Sequence, residues 1–363
     1  MNYPSAGPPP RVPEDLAGAV LREIESSGKL VSEDSDGIAF SVVIPSRMSK
    51  PCTDALRSVI RCEHIDGESI EVIYVLGDNP SAQRNRGVAM ARGPLVGFLD
   101  DDCTIPGTWF LKASQGLRNN SAQVIGGPNL TPEGSSFFCN CTGEVLASRF
   151  GAASMRARYS RVGCGPRYSS DVSTALCNMV FSRKILEDFP FNEEMFPNEE
   201  NELLERLASN GFQVVYSPDF EVYHPRKGNL RGFAAQIFGY GRGRAKQTKI
   251  QPHTLRPVHL MPSLSLIGAA ALIASLIFRI PALTNPLGIL ASIYLALILV
   301  SSTSIALKMR RFLAFPLSAI LYPTVHLSYG AGFLLGLLQR RDGSSKGDPK
   351  DMYLLRFAVK AHD

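Results

Sequence analysis

Hydrophobic and polar positions change rhythm twice along the chain. From residue 38, short apolar runs alternate with amphipathic ones. "AFSVVIPSR" reads as a buried strand ending at Pro45, and "CTDALRSVIRCEHI" sets Ala55, Leu56, Val59 and Ile60 at helical spacing. "SIEVIYVLGD" reads as a second strand, and "NPSAQRNRGVAMARG" as a helix that Gly93 can close. "PLVGFLDDD" then reads as a third strand. This β-α-β-α-β order predicts an α/β domain whose parallel strands are joined by right-handed crossovers. Further on, "PNEENELLERLASNG" predicts a helix that Asn198 can cap and Gly211 can end.

The second change comes at Leu260. Leu260–Phe278, Ile280–Leu307 and Phe312–Gln339 carry no charge. Each is long enough to cross a hydrocarbon layer of about 30 Å as a helix. Two or three membrane segments are expected. The third contains Pro316, Pro323, His326 and the small residues of "SYGAGFLLG", which leaves a kinked, re-entrant or interfacial helix open. Before residue 38 lies a Pro-rich, polar stretch ("PSAGPPPRVPEDL", "SEDSDG") around one modest helical pattern, Leu16 to Glu25, with no apolar run of signal-peptide type. The expected organisation is a loosely held extension (1–37), a catalytic-type α/β domain (38–256), a membrane region (257–341) and a polar C-terminal tail (342–363).

Charge adds an orientation. The net charge is +5, and the eight basic residues between Val222 and His259 have no acid among them. This block precedes the first apolar stretch, so the positive-inside rule puts it and the preceding domain in the cytoplasm, on a multi-pass protein. "KMRR" (Lys308–Arg311) fits the same side after two spans, whereas Arg340 and Arg341 after a third would point the other way. Anionic lipid is the plain partner for such a block; no nucleic-acid motif accompanies it, and no nucleic-acid partner is expected. Of the seven cysteines, none shows zinc-ligand spacing with a second pair, and ordinary reduced, buried thiols are expected.

The chemistry is expected where the strands end. In a doubly wound sheet, ligands sit beyond the carboxyl ends of the strands. Pro45-Ser46-Arg47, Gly77-Asp78-Asn79 and Asp100-Asp101-Asp102 would therefore line one crevice. Three adjacent carboxylates repel one another, and a turn needs only one. At a strand end they suit a hard cation, Mg²⁺ or Mn²⁺, bridging the oxygens of a diphosphate. On the acidic helix, Glu200, Leu203, Leu204 and Leu207 share a face, so Glu200 is expected to point inward, while Glu202, Glu205 and Arg206 lie largely away.

"SVVIPSR", "SAQRNRGVAMARGPLVGFLDDDCTIPG" and "FPNEENELLERLASNGFQVVYSPDFEVYHPR", in this order, resemble family-2 glycosyltransferases of GT-A fold. "NLRGFAAQIFGYGRGRA" and "HLSYGAGFLLG" look like the branch that includes succinoglycan-type exopolysaccharide transferases with C-terminal membrane segments. The resemblance covers roughly residues 38–340. It implies an inverting hexosyl transfer from a nucleotide-diphosphate sugar to a saccharide or lipid-linked acceptor, for polysaccharide or glycoconjugate synthesis. It implies a DxD motif in which Asp102 ligates the metal and Asp100 and Asp101 serve the donor. It implies that Glu199-Glu200 stand for the family's acidic pair, with Glu200 the general base. Pro45, Ser46, Arg47 and Asp78 would bind the nucleotide, although the second strand here offers one acid where the family usually has two.

Other positions stay open between two roles. Arg84 could meet a phosphate or orient Asp100, or be a surface arginine. His224 is either structural or a second metal ligand. Tyr240, Arg242 and Arg244, just before the membrane region, suit a diphosphate or lipid head groups. Two further readings are kept: a nucleotidyltransferase-like enzyme, which would release pyrophosphate, and a non-catalytic membrane scaffold with a decayed transferase domain.

Overall fold

The computed structural model describes residues 30–31, 37–47, 53–62, 69–169, 174–339 and 352–360. Most of the N-terminal extension, and Arg340 and Arg341, lie outside the described residues. The chain divides into two compact units. One comprises the residues up to Leu130, Ser160–His224 and the segment from Gly343 on; the other comprises Thr131–Tyr159 and Pro225–Asp342.

The first unit is built on a nine-stranded sheet, in the order β1-β11-β3-β2-β4-β8-β5-β9-β7. Its strands are β1 (Leu30–Val31), β2 (Ile38–Ser46), β3 (Ser69–Leu76), β4 (Leu95–Phe98), β5 (Val124–Gly126), β7 (Arg167–Tyr168), β8 (Met179–Ser182), β9 (Val214–Tyr216) and β11 (Tyr353–Lys360). A parallel pair, β6 (Asn129–Leu130) and β10 (Val222–Tyr223), stands apart from it. The three strands expected from the sequence form the parallel block β3-β2-β4, with helices α1 (Asp54–Arg61) and α2 (Pro80–Met90) as crossovers and α3 (Trp109–Asn119) following. Alternate residues feed two cores. Val42, Ile44, Val72 and Tyr74 pack into one, and Val43, Ile73 and Val75 into the other. Burial on both faces explains why these strands read as unbroken apolar runs. The architecture is the expected GT-A-like α/β fold.

Two local expectations change. Helix α2 ends at Met90 with Ala91 extended, short of Gly93. Gly93 is small for another reason: a Cβ there would lie 2.8 Å from backbone atoms of Phe40 and Ser41. The expected polar tail contains strand β11, paired antiparallel with all of β3 from Tyr353↔Leu76 to Lys360↔Ser69. "YLLRFAVK" is apolar enough to cover an otherwise bare sheet edge, but the polar run before it dominates the local average.

The second unit is helical. Alongside the helix Phe137–Ala147 it holds α5 (Leu230–Ile250), α6 (Pro257–Ile277), α7 (Pro281–Met309) and α8 (Ala314–Leu338), whereas helix α4 (Glu199–Ser209) belongs to the first unit. Helices α6, α7 and α8 are long and apolar enough to cross a membrane. They differ in what covers them. Ile267, Ile273, Leu276, Ile289, Leu290 and Val300 of α6 and α7 are exposed, while Leu321, Tyr322 and Phe333 of α8 are buried. Glycines let α8 approach α5 closely: a Cβ on Gly241 or on Gly332 would come within 2.1 Å of the carbonyl oxygen of Tyr329 or Phe238, respectively. Lys249 Nζ of α5 donates to the carbonyls of Gly336 (2.7 Å) and Gln339 (2.5 Å) at the end of α8.

Candidate active site

The carboxyl ends of β2, β3 and β4 converge as the alternation predicts. Gly77 N donates to Ser46 O (3.0 Å), and Ser46 Oγ donates to the Asp101 carboxylate. Pro45 is half-buried and Ser46 buried, whereas Arg47 and Asp78 stand exposed at the rim. Asp100, Asp101 and Asp102 form the turn after β4, each half-buried.

Helix α2 wires this turn to the acidic helix α4. Nearly every residue of its first two turns is buried, polar ones included. Each buried polar group needs a partner, and each named here has one. Ser81 Oγ donates to Met195 O (2.9 Å); Gln83 Nε2 donates to Ser46 O (2.8 Å) and Val75 O (2.6 Å); Asn85 Nδ2 donates to Phe191 O (2.9 Å). Arg84 spans the gap itself. Its guanidinium lies 2.6 Å from Glu199 Oε1 and 3.3 Å from Asp100 Oδ1. Of the alternatives the sequence left for Arg84, orienting Asp100 fits its position and a surface arginine does not, since it is only 5 % exposed.

The acidic pair divides differently from the expectation. Glu199, not Glu200, is the buried member, at 4 % exposure, and Glu202 is buried too, paired with Arg206 at 2.7 Å. Glu200 is half-buried. Glu199 is drawn inward instead, because the buried Arg84 guanidinium pairs with its carboxylate at 2.6 Å. Asn198 occupies the N-cap position with a left-handed backbone and makes no side-chain cap bond to the helix. Burial raises the Glu199 carboxyl to about 7; the Arg84 charge opposes this and Glu200 adds to it.

His224 completes the far side. Its Nε2 lies 3.1 Å from Asp102 Oδ1, and its Nδ1 lies 4.0 Å from Cys177 Sγ. Burial alone would lower this imidazole, but hydrogen bonds to Asp102 and Cys177 outweigh it and raise it to about 10. The Cys177 thiol falls to about 6 because Cys103 hydrogen-bonds to it, against the effect of burial. Burial pushes the Cys103 thiol well up. Neither cysteine was a sequence candidate. Cys103 adjoins the acidic turn, but Cys177 reaches it only because β8 pairs with β4.

A hard cation fits the Asp102–His224 pair. Their 3.1 Å separation is that of the hydrogen bond between them, and a cation bound by both would take the place of its proton. Arg242 and Arg244 are not brought together. Two residues apart on α5, they point to different faces: Arg242 is exposed, and Arg244 is buried with a hydrogen bond to Tyr329. Tyr240 is half-buried beside that helical core.

No curated protein matches the chain. Among solved structures, S. aureus TarS residues 1–349 in complex with UDP aligns at 16 % identity and a TM-score of 0.39, over 58 % of this chain and 65 % of that one. The chain thus spans slightly under two thirds of that TarS fragment. The mannosyltransferase PcManGT from Pyrobaculum calidifontis, in complex with GDP-Man and Mn²⁺, aligns at 14 % identity and a TM-score of 0.49, over 90 % and 96 % of the two chains. The family described as "Glycosyltransferase like family 2" matches residues 38–238, more than half of the sequence. With that match over the sheet, the acidic turn and helix α4, the chain belongs to glycosyltransferase family 2.

Proposed function

We propose that the protein is an inverting, metal-dependent hexosyltransferase that moves a sugar from a nucleotide-diphosphate donor to a membrane-associated saccharide or lipid-linked acceptor, in polysaccharide synthesis of the exopolysaccharide type or in glycoconjugate synthesis. One observation carries the reading. The Arg84 guanidinium joins Glu199 at the head of α4 to Asp100, so the acidic helix and the acidic turn make one site.

The donor lies against the ends of β2, β3 and β4, with Ser46, Arg47 and Asp78 toward the nucleotide and Asp100 and Asp101 toward the ribose and phosphates. Asp102 and His224 would hold Mg²⁺ or Mn²⁺, which would supply charge neutralisation for a departing diphosphate. Glu200 accepts the proton of the acceptor hydroxyl as that oxygen bonds to the anomeric carbon and the bond to the diphosphate breaks. A sugar hydroxyl is a weak acid, so a base within hydrogen-bond reach is required. Glu200 suits this because it is half-buried, whereas the Glu199 carboxyl is engaged by Arg84. Comparing Glu200→Gln with Glu199→Gln tests the assignment. Glu200→Gln should keep donor affinity and lose transfer by roughly 10²–10⁴-fold. Near-parental transfer in that variant would end it.

Connectivity supports a membrane topology. The chain leaves the sheet unit after His224 and re-enters it as β11. Crossings between those points must therefore be even in number. Helices α6 and α7 cross as a hairpin, and α8, packed along α5 with its Arg242, Lys246 and Lys249, does not cross. The basic block and Lys308–Arg311 then both face the cytoplasm, as the positive-inside rule asks. An epitope at the C-terminus should be reached by antibody only after permeabilisation. Detection on sealed cells would refute the hairpin.

A further inference from the structure

We propose that Cys103, Cys177 and the Nδ1 edge of His224, with Asp100, form a second cation site that takes zinc or another thiophilic divalent ion. It shares the His224 ring, by its opposite edge, with the hard-ligand pair of Asp102 and His224 Nε2, and it stands whether or not the chain transfers sugar.

The donor atoms of these four residues all lie within 4.8 Å of one another. Tetrahedral zinc, with Zn–S of about 2.3 Å and Zn–N of about 2.0–2.1 Å, sets its ligands about 3.4–3.8 Å apart. The cluster closes on an ion with shifts of about 1 Å or less. Two sulfurs, an imidazole and one carboxylate are a soft donor set, which favours zinc over magnesium or calcium.

The surroundings match what a zinc site needs behind its ligands. Asn129 Nδ2 donates to Cys177 Sγ at 3.6 Å, placing an N–H on the sulfur that would carry thiolate charge. The other His224 nitrogen faces the Asp102 carboxylate. A carboxylate behind a ligating histidine fixes its tautomer and orientation. Cys103 N donates to Asp100 O (3.0 Å), so the backbone holds two of the ligands in one turn. The cysteines are buried, while Asp100 and His224 are only half-buried and leave an entry path. A zinc ion on Nδ1 leaves the ring proton on Nε2, aimed at Asp102. The two edges of a neutral imidazole thus serve one metal at a time.

Zinc K-edge absorption of the full-length, detergent-solubilised protein loaded with one equivalent of Zn²⁺ tests this without a variant. The expected spectrum has two sulfur scatterers at about 2.3 Å. A shell of nitrogen and oxygen alone would overturn the proposal. Titration of the chelator-stripped, reduced protein with Co²⁺ should give a thiolate-to-cobalt charge-transfer band that saturates at one equivalent and is displaced by Zn²⁺ but not by Mg²⁺. Cys103→Ser and Cys177→Ser should each weaken the band, and Cys139→Ser should keep it. An unchanged band in a Cys103→Ser protein that still melts cooperatively would equally refute the site.

Discussion

The two units of this chain differ in the ion pairs they bury and in the apolar surface they leave uncovered. The sheet unit buries ionisable groups and pairs them: Glu71 with Arg92, Arg84 with Glu199 and Asp100, Glu221 with Arg161. The helical unit instead leaves large apolar side chains of α6 and α7 uncovered and uses glycines to seat α8 against α5. Burying a charge is costly unless it is paired, so the sheet unit's ion pairs mark where position matters. Exposed apolar surface on helices of this length suits a lipid surrounding. One unit carries the candidate site and the other the long apolar helices, so variants in each should fail differently.

The largest effect is expected at the acidic turn. Asp102→Ala should lower sugar transfer by about 10³-fold or more, since a metal supplies several kcal/mol of charge stabilisation, while the melting temperature barely moves. A loss of folding instead would make Asp102 a structural residue and blur the contrast between the units.

Next is the buried bridge. Arg84→Ala leaves Glu199 buried without its cation and should cost about 3–5 kcal/mol. Arg84→Lys should restore only part of this, because one ammonium cannot fork between two carboxylates. Denaturant unfolding of both variants reads this out. Full recovery with lysine would mean that the fork is unimportant.

A smaller effect concerns pH. The Glu199 carboxyl is raised from its ordinary 4.5 to about 7, so between those values the native state keeps a proton that the unfolded chain has lost. The contribution of this group to stability therefore falls as pH rises through that window. Melting temperature followed across it should decline more steeply in the parent than in Glu199→Gln. Equal slopes would contradict the assignment.

The smallest contrast lies in the helical unit. Arg244→Gln should lower thermal stability in detergent, because Arg244 is buried, while Arg242→Gln should alter association with anionic vesicles or substrate affinity and leave stability alone. Identical behaviour of the two would show that α5 does not separate them.

The parallel block of the sheet unit is legible in the sequence, because the β-α-β-α-β alternation predicts parallel strands and the end at which ligands sit. The acidic turn, the acidic helix and the apolar helices follow from local pattern alone. What escapes is non-local. The strand Tyr353–Lys360 needs knowledge that β3 has an open edge. The convergence of Cys103, Cys177 and His224 needs the pairing of β4 with β8 and of β6 with β10. Glu200 illustrates a finer failure: helical spacing puts it in line with three leucines, yet the buried carboxylate is its neighbour Glu199, which pairs with an arginine far away in sequence. The Arg84 bridge is half-legible, since the helix start is visible but its partner on α4 is not.

Product analysis tests the central claim most directly. The detergent-solubilised protein, given a panel of nucleotide-diphosphate sugars and an acceptor extract with Mn²⁺, should release a nucleoside diphosphate from one donor, with release lost in excess chelator and in Asp102→Ala. Release of pyrophosphate, or full turnover in chelator, would contradict the account.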